Sequence, residues 1–201
     1  MQLYWFPGSC SLAPHIMLHE IGATFDRMKV DLFTKEMDNG ESYLSINPRG
    51  ALPALRLDDG EILTEAAVLL QYIADLKPEA GLIAPAGTLD RYRQQEWLNY
   101  LASDIHKSFS LLITPVTPAD FKATILGQLS NHFARIDAHL QTGGYLHGGR
   151  FSVADAYLFV ILGWSGYAGV DLSPWSALGQ YRDRIAARPA VQAAMKAEGL
   201  I

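Results

Sequence analysis

The sequence has one cysteine among 201 residues, so no disulfide can form within the chain. That composition fits a reducing compartment. Basic residues are also scarce, with 16 Lys and Arg against 21 Asp and Glu, and they form no cluster. A formal net charge of −5 without a basic patch excludes the concentrated phosphate contacts that nucleic acid requires. Long apolar runs are missing too. The most apolar segment, YLFVILGW at 157–164, is far shorter than the ~20 residues of a membrane-spanning helix. The first residues, MQLYWFPG, lack the basic region and long apolar core of a secretory signal. No internal repeat or low-complexity tract breaks the chain. With 49% hydrophobic and 18% charged residues, a folded globular protein is expected. The expectation is a soluble, cytoplasmic protein with neither nucleic acid nor membrane as partner.

Local patterns divide the chain. QLYWF (2–6) is β-prone and PG ends it. SLAPHIMLHEIG (11–22) reads as a helix with Leu12, His15, Ile16 and His19 on one stripe and Gly22 as its stop. Pro14 is tolerable there only in the first turn, which places the helix start at or next to Cys10. Residues 27–32 read as a strand and 41–46 as a short helix closed by NPRG. PALRL (53–57) and EILT (61–64) flank DDG, a hairpin signal, and 65–76 form a second long helix. The prolines and glycines of 77–88 mark a linker. Beyond it, residues 89 to about 113, 118–141, 153–168 and 174–197 look helical, with no convincing strand. Ser152 with Asp155 three residues on reads as a helix start. The expected organisation is an α/β domain at 1–76, a linker at 77–88 and an all-helical domain at 89–201.

The lone thiol lies in FPGSCSLAPH, between a strand end and a helix start. A cysteine there meets free helix amides and the positive end of the macrodipole, which favour thiolate and predict a depressed pKa. The hydroxyls of Ser9 and Ser11 are placed to donate to the sulfur. Ala13 occupies the position where a dithiol centre would have its second cysteine, so any redox cycle needs an external thiol. The alternative is a buried structural cysteine packing as a small hydrophobe.

Two further groups stand out. In QQEWLNYLASDIHKSF, Asn99, Ser103 and His106 are spaced four and three apart and share a helix face, with Lys107 close by. Trp97, Leu98, Leu101 and Ile105 make the opposite, apolar face. The polar stripe suits a small polar anion, or is simply a solvated surface. In NPRGALPALRLDDGEILTEA, Pro53 opens a strand, where a cis Leu52–Pro53 bond would present the Leu52 backbone to a ligand. Glu65 opens a helix at the end of the sheet, as a ligand contact or as an acid on the helix dipole. His15 and His19 have metal-ligand spacing but no evident third ligand, and His132 and His139 are equally unsupported. No metal is expected.

Taken together, PGSCSLAPH, NPRGALPAL, LTEA, EWLNYLASDIHKSF and FSVADAYLF resemble the cytosolic glutathione S-transferases, and specifically the bacterial beta class. The resemblance spans nearly the whole chain, from Leu3 to Leu200, and rests on five modest motifs in the right order. It implies a thioredoxin-like N-terminal domain, an all-helical C-terminal domain and a homodimer, with NPRG and the helix after the linker at or near its interface. Glutathione would be the co-substrate, conjugated to a hydrophobic electrophile.

The resemblance also assigns residues. Cys10 would lie next to the glutathione sulfur and Lys35 near the glycyl end. Leu52, before Pro53, would pair its backbone with the cysteinyl portion. Glu65 and Ala66 would hold the γ-glutamyl end. Asn99, Ser103, Asp104, Ile105 and His106 would line the site, with Lys107 a neighbouring basic position, and His106 is carried with Cys10 as catalytic. Many relatives have serine where this chain has Ala66, and the lost donor would cost about 1 kcal/mol of affinity. Phe109, Trp164 and Tyr167 are expected near the acceptor pocket from chain position alone. Two other readings stay open. One is thiol–disulfide exchange through Cys10, and the other is a non-enzymatic ligand-binding protein on the same fold.

Overall fold

The computed structural model describes residues 1–201, which pack as two units. The first comprises Met1–Ile83 together with Arg188–Ile201, and the second comprises Ala84–Ala187. The sequence reading assigned 188–201 to the helical domain, whereas here this segment packs into the first unit.

The first unit is built on a four-stranded sheet of order β2-β1-β3-β4. β1 (Gln2–Trp5) pairs in parallel with β2 (Asp26–Lys29) and antiparallel with β3 (Ala54–Arg56), which pairs antiparallel with β4 (Ile62–Thr64). The parallel pair requires a crossover, supplied by α1 (Leu12–Glu20). The hairpin β3–β4 turns at the DDG signal, closed by the Leu57 amide on the Glu61 carbonyl at 2.8 Å. α2 (Ala66–Asp75) follows β4.

The stripe expected on α1 is not what forms. Every residue from Leu12 to Leu18 is buried, because α2 packs on one side of α1 and α9 (Pro189–Ala197) on another. A helix covered on several sides loses its amphipathic pattern. Pro14 sits in the first turn, as its missing amide requires.

The second unit is helical: α3 (Leu89–Tyr100), a π-helical segment (Leu101–His106), α4 (Lys107–Ile113), α5 (Ala119–Gly143), α6 (Val153–Gly163), α7 (Ser165–Ala168) and α8 (Ser176–Ala186). The apolar run at 157–164 belongs to α6, which is buried from Val153 through Leu162. No helix is long and apolar enough to cross a membrane. Asp155 locks the start of α6. One carboxylate oxygen accepts from the Ser152 amide at 2.9 Å and hydroxyl at 2.7 Å, and the other from the Leu146 amide and the Tyr181 hydroxyl, each at 3.0 Å. The pair is thus the structural cap its spacing predicted. The stretch read as one helix at 174–197 is two, because Pro189 begins a new helix at its N-terminus. The stretch at 153–168 likewise breaks after Gly163.

Candidate active site

The loop after β1 places Cys10 two residues before α1, at the carboxyl edge of the sheet. Its half-buried thiol donates to the Leu52 carbonyl at 3.2 Å. The Leu52–Pro53 bond is cis, as expected. The serines do not serve the sulfur. The Ser11 hydroxyl accepts from the Phe6 amide at 3.2 Å and donates to the Phe6 carbonyl at 3.3 Å, while Ser9 lies 2.7 Å from Ser11. Both hydroxyls are spent on holding the turn.

Burial opposes the predicted acidity of Cys10. Burial pushes the thiol up to about 12, against the pull of its own amide and that of Ser11, and the nearby Glu65 charge pushes it further. Taking a thiolate out of water costs more than two helix-end amides return. At neutral pH Cys10 is therefore a thiol, and a donor.

α2 begins at Ala66, after Glu65, whose φ of 70° is rare for a side chain with a Cβ. Strain of this kind costs on the order of 1–3 kcal/mol and clusters at ligand sites. No side chain caps α2, so the amides of Ala66 and Ala67 have no acceptor within the chain. A helix start of this kind suits an anion. The Glu65 carboxylate lies 3.0 Å from Arg49, which also donates to the Thr64 hydroxyl at 2.6 Å. Lys35 has a positive φ as well, 61°, and its ammonium pairs with no carboxylate. Its stem runs so close to Gly50 that a Cβ there would lie 3.3 Å from Lys35 Cε, one reason for the glycine of NPRG. Cys10, Leu52, Pro53, Glu65 and Ala66 thus come together along one edge of the first unit, with Lys35 on the loop beside NPRG.

Four pairings that sequence reasoning did not find tie the C-terminal segment to α1, to β2 and to the loop carrying Cys10. Glu198 accepts from the Gly8 amide at 2.9 Å and from His15 Nδ1 at 2.8 Å. Arg188 makes a two-point pair with Glu20 at 2.7 and 2.9 Å, and Arg27 donates to the Ala197 carbonyl at 2.9 Å. No local signal announces a partner more than 160 residues away. His15 is thereby a packed structural residue. An open groove of about 400 Å³ beside it is lined by His15, His19, Phe25 and Arg27 and by none of the residues assigned to glutathione. No group of three or more His, Cys, Asp or Glu side chains could hold a metal. His132 instead meets the Tyr100 hydroxyl at 2.6 Å, and His139 meets the Leu146 carbonyl at 2.9 Å.

In the second unit, Ser103, Asp104, Ile105 and His106 all fall in the π-helical segment, a widened turn frequent at functional sites. The regular spacing assumed for the stripe is therefore interrupted. Asn99, Ser103, Asp104 and Lys107 are exposed, while Ile105 is buried with Leu98 and Leu101. The Ser103 hydroxyl reaches the Asn99 carbonyl at 3.0 Å and the Asp104 carboxylate at 2.8 Å. His106 turns inward. Its Nδ1 lies 2.7 Å from the Tyr157 hydroxyl and its ring 4.8 Å from that of Trp164. Burial, aided by the Lys107 charge, lowers its pKa to about 4, so it is neutral at pH 7. Of the aromatic residues expected at an acceptor pocket, Phe109 is fully buried against Phe133 and is core, Trp164 is half-buried and Tyr167 is 85% exposed.

A βαβ unit followed by ββα, with a thiol at the sheet edge before a cis-proline, defines a thioredoxin-like domain joined to a helical one. Family models for the N-terminal and C-terminal domains of glutathione S-transferase match residues 8–76 and 87–197. The chain is 42% identical over 200 residues to glutathione S-transferase GstA of Escherichia coli O157:H7, covering all of both chains. It superposes with a TM-score of 0.96, at 49% identity and complete coverage of both chains, on the bacterial beta-class enzyme of Sphingomonas chungbukensis. A sphingomonad glutathione S-transferase complexed with glutathione matches equally, with a TM-score of 0.96 and 49% identity over both full chains. The chain belongs to the glutathione S-transferase family, with a bacterial beta-class enzyme among these relatives.

Proposed function

We propose that the protein is a glutathione transferase in which the sulfur of glutathione, not Cys10, attacks a hydrophobic electrophile. The observation that carries this reading is the Cys10 thiol, held protonated and hydrogen-bonded to the Leu52 carbonyl beside an uncapped helix start. The free amides of Ala66 and Ala67 suit the γ-glutamyl carboxylate, and exposed Glu65 suits the adjacent amine. The backbone of Leu52 suits the cysteinyl portion, and unpaired Lys35 suits the glycyl carboxylate. Turned away from the Leu52 carbonyl, the single S–H of a protonated Cys10 can donate to a neighbouring thiolate and lower the pKa of glutathione. With an aryl halide, that thiolate forms a carbon–sulfur bond, halide leaves, and the thiol proton passes to solvent. Asn99, Ser103, Asp104, Ile105, His106 and Lys107 enter through the family resemblance as residues acting on the tripeptide.

Thiol–disulfide exchange through Cys10 requires its thiolate, which burial disfavours. We further propose a homodimer in the cytoplasm. Exposed Leu89 and Tyr92 on α3 and Val68 on α2 give apolar area for such an interface. The test is turnover of reduced glutathione with a panel of aryl halides, epoxides and mixed disulfides. Saturable conjugation of an aryl halide supports the reading, and activity confined to mixed disulfides contradicts it.

A further inference from the structure

NPRG holds the one buried amide side chain of the first unit. Asn47 is 3% exposed, and both ends of its amide are used. Nδ2 donates to the Ala51 carbonyl at 2.7 Å, and Oδ1 accepts from the Arg49 amide at 3.2 Å. The Ala51 carbonyl takes a second donor, the hydroxyl of fully buried Tyr43, at 2.9 Å. Tyr43 belongs to a small core with Tyr4, Val30, Met37 and Ala54, against which Leu52 packs. A carbonyl with both lone pairs engaged by buried donors cannot rotate, so the Ala51–Leu52 peptide is fixed in orientation. The next carbonyl along, that of Leu52, is the one that accepts from Cys10. On its other side Asn47 fixes the backbone of Arg49, whose guanidinium reaches Glu65 and Thr64.

We propose that Asn47, with Tyr43, is the positioning residue of the glutathione half-site, setting the Leu52 backbone and the Arg49–Glu65 pair together. This rests on the reading above, that the Leu52 backbone and Glu65 bind the tripeptide. Neither Asn47 nor Tyr43 touches glutathione in this account. They act through Leu52 and Arg49.

Two variants test it. Asn47→Asp keeps the side chain's size and its acceptor toward Arg49, but sets a carboxylate oxygen against the Ala51 carbonyl. Tyr43→Phe removes only the second donor and serves if the first variant does not fold. Each is assayed for KM and kcat with glutathione and an aryl halide, for thermal unfolding, and for the rate of Cys10 alkylation by iodoacetamide at pH 9. The KM for glutathione should rise about tenfold in Asn47→Asp and about threefold in Tyr43→Phe, with kcat at saturating glutathione and the KM for the halide nearly unchanged. Cys10 should alkylate faster in both, because a displaced Leu52 carbonyl no longer stabilises the protonated thiol. An unchanged KM for glutathione and unchanged alkylation, even with a lowered Tm, would show a purely structural turn and overturn the proposal. Absence of saturable glutathione dependence in the unmodified protein is a distinct result. It removes the half-site reading itself, and the positioning role with it.

Discussion

His15 and Glu198 stand 183 residues apart in the chain and meet at 2.8 Å with both side chains fully buried. The same carboxylate holds the Gly8 amide, so α9 is tied both to α1 and to the loop that presents Cys10. Removing one partner of a buried pair leaves the other without solvent or bond. Glu198→Ala should lower unfolding free energy by about 3 kcal/mol in urea titrations. A loss below about 0.5 kcal/mol would mean the contact contributes nothing.

Cys10 should behave as an unreactive thiol in the free protein. Its folded value of about 12 lies above that of a free cysteine, so iodoacetamide labelling should still be rising with pH through 9.5. A labelling midpoint at or below 8 would restore the helix-end field as the stronger effect.

His106 should make the protein sensitive to acid. Its folded pKa of about 4 lies below the ordinary histidine value of 6.5, so the unfolded chain binds the proton more readily. Stability from this group is whole above pH 6.5 and declines as pH falls toward 4, by up to about 3 kcal/mol. Replacing His106 with Gln should flatten the fall in Tm between pH 7 and pH 4.5. Parallel profiles for both proteins would assign the acid sensitivity elsewhere.

Sedimentation equilibrium at micromolar concentration should give twice the chain mass of 22.1 kDa. A monomer that still turns over substrate would contradict both the dimer and any contribution to binding from a second subunit.

Much of this fold is punctuation that a sequence displays. PG closes β1, DDG turns β3 into β4, Pro53 opens β3 and Ser152 with Asp155 starts α6. Each works through its own backbone, so its effect is local and readable. Pro189 is an equally local signal, a helix start that divides 174–197 in two. What stayed hidden depends on distant packing. The depth of the Cys10 sulfur follows from what surrounds it, and burial there outweighs the amides that local reasoning can see. The return of Glu198 to Gly8 and His15 has no local marker. The π-helical turn at Leu101–His106 leaves no periodic trace either, so the stripe drawn through Asn99, Ser103 and His106 missed that His106 points inward to Tyr157.

The division of labour between the two sulfurs is tested most directly by Cys10→Ala, assayed for aryl halide conjugation with glutathione affinity measured alongside. Loss of one hydrogen-bond donor to the attacking thiolate should cost about 1–3 kcal/mol, up to roughly a hundredfold in rate. The amides at the helix starts remain. The account predicts slower but measurable conjugation, and little glutathione mixed-disulfide mass adduct even with Cys10 in place. Complete loss of conjugation, with glutathione affinity and Tm intact, would contradict it and make Cys10 indispensable to the transfer.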